Sequence, residues 1–186
     1  MRYTKQYNRH SCAPIAILNA MKWAGVSNAS YKSDLYKQIY KQCHCSPRIQ
    51  NRSNIFQNKK FTLDTCIDTL VNIGKQHFST RQIAKKDNRG QRITRYNIDI
   101  DILTKNINYD KSCVIIYEAY KYSDNRGQGM AAHLYLCVDC RYINNTPIFT
   151  LVNHDPRLKN SITHKTITQM PHGDSLYHMS WKLTKI

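Results

Sequence analysis

The chain has 186 residues, a length that suits one compact domain with its own core. Lys and Arg number 28 against 12 Asp and Glu, a formal charge of +16, so the surface field is strongly positive and attracts polyanions. No apolar run approaches the ~18 residues needed to span a bilayer, and the opening MRYTKQYNRHSC lacks the apolar stretch of a secretory signal, so a soluble protein not exported by that route is expected.

Along the chain, the first clear element is a helix over 12–24. Ala13, Ala16, Ile17, Ala20, Met21 and Ala24 recur at i, i+3, i+4 spacing. Ser11 suits the N-cap, Pro14 the first turn and Gly25 the position after the last turn. The helix is apolar nearly all round, which marks it as the buried central helix. A second helix fits 31–42 and a third 62–73, opened by Thr62 and closed by Gly74. Residues 43–61 read as irregular, and 75–95 form the densest basic segment. A short helix fits 98–107. The character then changes. Residues 113–119 (CVIIYEA) read as a buried strand, 120–130 as a loop, 132–140 as an alternating strand and 148–153 as another. A final strand fits 176–184. Helices come first and an antiparallel sheet follows, an α+β plan in one domain over 1–186.

Seven cysteines, an odd number, argue against a disulfide framework, and most are expected to be reduced thiols. Cys43-His-Cys45 and Cys137-Val-Asp-Cys140 have the look of zinc pairs. Cys137 and Cys140 have opposite parity on a strand, however, so their thiols are expected to point apart unless the strand ends between them.

Three local features carry chemistry. Gln6 precedes Cys12 by six residues, and Cys12 opens the buried helix. His133 starts a strand, and Asp155-Pro156 ends the next one. A thiol at a helix N-terminus faces unsatisfied N–H groups and the positive end of the helix dipole, which favours the nucleophilic thiolate. A histidine in reach takes up the thiol proton and returns it to a leaving amine. A carboxylate or amide behind the ring fixes its tautomer. An amide side chain and the Cys12 N–H can stabilise an oxyanion.

Gln6, Cys12-Ala-Pro14, His133 and Asp155-Pro156 together resemble papain-like cysteine peptidases, and more closely their C39 branch, which includes bacteriocin-processing enzymes. The resemblance implies a papain-like fold. It also implies Cys12 as nucleophile, His133 as base and acid, Asp155 as orienter and Gln6 as oxyanion donor. An extended peptide would be cleaved through a thioester, with no cofactor. Ala132 stands where C39 proteins often have Gly, and the basic segment 75–95 has no counterpart in the resemblance. Asn153 competes with Asp155 as orienter, since both are expected on one strand face. His10 and His154 are rival bases: His10 lies on the entry loop, and His154 should point away from the site.

The Lys-, Asn-, Ile- and Tyr-rich composition and the charge suggest a phage or viral protein, in a host cytoplasm or packaged in a virion. The alternative is a non-catalytic structural or nucleic-acid-associated particle protein on the same scaffold, with tyrosines and basic residues at the contact. A third reading is an effector that modifies a host protein through the same thiol.

Overall fold

A computed structural model of the chain describes residues 3–6, 11–30, 32–43, 63–87, 100–124, 127–153, 162–166 and 175–186. Four helices, α1 (Cys12–Trp23), α2 (Asp34–Gln42), α3 (Leu63–Gly74) and α4 (Ile100–Asn106), accompany six strands. The strands are β1 (Phe78–Asp87), β2 (Ser112–Asp124), β3 (Gly127–Ile143), β4 (Thr146–Val152), β5 (Ile162–Lys165) and β6 (Ser175–Lys185). They form one sheet in the order β1-β6-β2-β3-β4-β5, and every neighbouring pair is antiparallel. The α+β class is as expected.

Buried on nearly every side, α1 packs on β3. Its end is set by Gly25, whose φ of 95° few other residues tolerate; the Val26 N–H returns to the Met21 carbonyl at 3.0 Å. Ser33 caps α2, its hydroxyl accepting the Tyr36 N–H at 3.1 Å. The strands CVII and LYLCV lie in β2 and β3, in the middle of the sheet, where runs of apolar residues belong.

Alternation divides the sheet into two faces. Cys113 and Ile115 of β2 and Leu134, Leu136 and Val138 of β3 join α1, α2 and α3 in the larger core. Val114 and Ile116, with Tyr135 and Cys137, face the other way and pack with Leu103 of α4, Phe149 and Leu151.

Four expectations are corrected. The basic segment after α3 holds a strand, β1, inserted before α4, so the helices do not all precede the sheet. Charge suits β1, because it is an edge strand and edges bearing cations resist pairing with other chains. The loop expected over 120–130 is largely strand: β2 and β3 pair as far as Asp124↔Gly127. The short β5 has no counterpart among the expected elements. Finally, a register shift between Cys137 and Asp139 breaks the alternation, so Cys140 packs against the same cluster as Cys137 instead of pointing away.

Candidate active site

The segment 3–6 is held to α1 by the two polar side chains of that helix, Asn19 and Lys22. Asn19 Oδ1 accepts the Thr4 N–H at 2.8 Å, and its Nδ2 donates to the Thr4 carbonyl at 2.9 Å. Lys22 Nζ adds a bond to the Thr4 hydroxyl at 2.6 Å. These contacts deliver Gln6, two residues on, to a buried position 147 residues away from its partner in sequence.

That partner is Asn153. The Gln6 N–H donates to Asn153 Oδ1 at 3.0 Å, and Asn153 Nδ2 donates to Gln6 Oε1 at 3.1 Å. The two amides thus close a ring of hydrogen bonds. Asn153 has φ 60°, so the chain leaves the strand at this residue. Asparagine is among the few residues other than glycine that enter this region readily. The expectation that Asn153 continues the face of β4 is therefore corrected: β4 ends at Val152.

The turn also directs the Asn153 carbonyl to His133, whose Nε2 lies 2.5 Å from it. A carbonyl only accepts, so Nε2 carries the hydrogen, and in the neutral ring Nδ1 holds the lone pair. The ring is 6% exposed and stacks on Tyr135, with centroids 5.8 Å apart and planes at 22°. Alternation places His133 on the Tyr135 face, while Leu134 turns toward α1.

Cys12 is the first residue of α1 and partly exposed, at the helix mouth as expected. The ladder between β3 and β4 stops at Leu136↔Val152. Beyond it the Leu134 N–H is directed at the Cys12 sulfur, joined by the N–H groups of Ala13 and Cys12 itself. All three favour thiolate. Desolvation by burial outweighs them, however, and pushes the thiol above its ordinary value. The expectation of a thiolate already favoured at rest is thus corrected: the helix mouth supplies donors, but the packing around the sulfur withholds water from the charge.

Three of the expected residues thus come together at the end of β4. Gln6 and His133 both bond Asn153, and Cys12 lies against the backbone of the residue next to His133. Sulfur and ring approach from different sides of the sheet. Asp155, His154 and His10 lie outside the described residues, as do His44 and Cys45 of the first candidate zinc pair. Among the described residues no group of three or more His, Cys, Asp and Glu could hold a metal ion. Cys43 is engaged elsewhere: a hydrogen bond from Cys66 favours its charged form, against the burial that opposes it.

Two features escaped the sequence reading. One is the backbone role of Asn153, signalled only by an Asn where a strand ends. The other is Glu118, 1% exposed and bonded by the Tyr135 hydroxyl at 2.9 Å. Its burial was signalled by an acid at the alternate position after Ile116 in an apolar strand. Comparison with protein-family models and with curated proteins finds no match for this chain.

Proposed function

We propose that the chain is a cysteine peptidase of papain-like, C39-like type, hydrolysing a peptide or isopeptide bond through Cys12. One observation carries this reading above the others. Asn153 joins Gln6 to His133 at the strand end, and Cys12 lies against the backbone of Leu134 beside that histidine; this convergence of three distant parts of the sequence supports the reading.

The protonation states define the mechanism. The thiol is neutral at rest, and His133 presents Nδ1 as base because Nε2–H is taken by the Asn153 carbonyl. Sulfur attacks the substrate carbonyl as its proton passes to Nδ1, forming a C–S bond and an oxyanion. The N–H groups at the helix mouth and the Gln6 amide nitrogen stabilise that oxyanion. The C–N bond then breaks, and Nδ1–H protonates the leaving amine. Water activated by the same ring hydrolyses the thioester and regenerates the thiol. Holding the ring falls to the Asn153 carbonyl, with Asp155 as the carboxylate orienter of the resemblance. Asp155→Asn removes the carboxylate and leaves the main-chain carbonyl of Asn153 in place, so it tests the carboxylate alone.

The test is a peptide-library digest read by mass spectrometry, together with labelling by the epoxide E-64. Cleavage by the wild type, a single adduct on Cys12 and loss of both in Cys12→Ala are expected. Cleavage that persists in Cys12→Ala overturns the reading.

A second reading, contact with nucleic acid, is favoured by the charge. Lys and Arg exceed Asp and Glu by 28 to 12, and the register sets Arg81 directly opposite Lys182. Its mark is DNA affinity that falls steeply with salt while Cys12 stays inert toward E-64.

A further inference from the structure

On the face of the sheet away from α1, a buried carboxyl stands beside the proposed catalytic ring. Glu118 and His133 are directly paired across β2 and β3. Such residues share a face, with Cβ atoms roughly 4.5–5.5 Å apart. Glu118 Oε1 accepts the Tyr135 hydroxyl at 2.9 Å, and His133 stacks on that same tyrosine. Oε2 is buried and meets no hydrogen-bond partner among the described residues. An orphaned carboxyl oxygen in an apolar layer is costly as structure alone, since leucine or methionine would fill the space without the loss.

We propose that Glu118 is a positioning residue for His133: by ionising when the ring becomes charged, it sets the base strength of the imidazole. This builds on the peptidase reading for its purpose, but the coupling itself is a property of the two side chains.

The surroundings support the pairing. From β3, Glu118 is faced by His133 and Tyr135. On its other side the register places His178 of β6 opposite it, with Ser180, also buried, two residues on. From α4 comes the apolar Leu103, while the charged residues Asp101 and Lys105 of that helix are exposed. Desolvation holds the carboxyl protonated up to about pH 8, and the Tyr135 hydroxyl opposes that shift. At neutral pH the group is therefore an acid with a proton to lose. A cation on His133 draws that proton off to solvent, and the resulting carboxylate lowers the cost of charging the buried ring.

The test is an NMR titration of the His133 Cε1–H in the full chain, comparing wild type with Glu118→Gln. Gln keeps an acceptor for Tyr135 and removes the charge. The expected result is a His133 midpoint lower by roughly one pH unit or more in Glu118→Gln, a tenfold weaker base. Tyr135→Phe, which removes the donor that favours the carboxylate, should lower it by less; it decides the matter should Glu118→Gln not fold. A midpoint unmoved in these variants, or a ring that stays neutral in the wild type down to pH 5, overturns the proposal. Cys12 inert toward E-64 with a shifted midpoint would instead sink the peptidase reading and leave the coupling intact.

Discussion

The two faces of the sheet are built from alternate residues of the same strands, yet they solve different problems. The α1 face is closed by three helices and is mostly apolar; one of its buried polar residues, Asn19, spends both ends of its amide on Thr4. The α4 face has a smaller cluster and keeps a carboxyl, a phenol and an imidazole inside it. One face supplies stability and presents the sulfur at a helix mouth. The other gives up some stability to hold titratable groups beside the ring. These ionisable groups gather near the strand end where the ladder between β3 and β4 stops.

The sharpest way to break this contrast is to empty each core in turn. Leu18→Ala on the α1 face should cost roughly 2–5 kcal/mol, lowering Tm by on the order of 5–15 °C. Leu151→Ala on the α4 face should fall at the low end of that range, because a layer closed by one short helix can collapse onto the cavity. Equal losses, measured by thermal unfolding, would remove the distinction.

Next in size is the pH dependence conferred by Glu118. Its carboxyl is raised from 4.5 to about 8 on folding, so between these values the folded state holds a proton that the unfolded state has released. Stability therefore falls as pH rises through that window, and below it the group is protonated in both states and has no effect. Glu118→Gln should abolish this slope, leaving the variant more stable than wild type at pH 8 by a few kcal/mol, on the order of 3–5. Denaturant titrations at pH 5 and pH 8 check it; parallel curves for the two proteins would refute it.

Gly74→Ala comes third. A Cβ there would lie 2.2 Å from two Phe78 ring carbons, and that ring is buried. Overpacking of this kind should cost roughly 1–3 kcal/mol, read as a lower Tm. The smallest effect belongs to Lys37→Ala. Its bond to Asp34 at 2.8 Å is an exposed pair within one helix turn, and its loss should leave Tm unmoved within error.

Much of the α1 face was legible in the sequence because one signal dominates there: apolar residues at helical spacing, bounded by Ser11, Pro14 and Gly25. The far end of the β2–β3 hairpin was not, because glycines and polar residues over 120–130 look like a loop, although the ladder runs on to Asp124↔Gly127. Strand β1 was hidden by the cations that suit an edge. At the site, Gln6, Cys12 and His133 could be named from motif and spacing. That Asn153 would bond through its backbone depends on a positive φ that the sequence does not spell out. The rise of the Cys12 thiol depends on how tightly the helix mouth is packed, a tertiary property that the dipole argument omits.

The central claim is that His133 serves Cys12 as a base, and the rate of Cys12 alkylation by iodoacetamide across pH 6–9 tests it most directly. The account predicts that His133→Ala slows Cys12 modification at neutral pH by at least roughly tenfold, with the difference shrinking as alkali ionises the thiol unaided. Identical rates for Cys12 in the two proteins at every pH would contradict it.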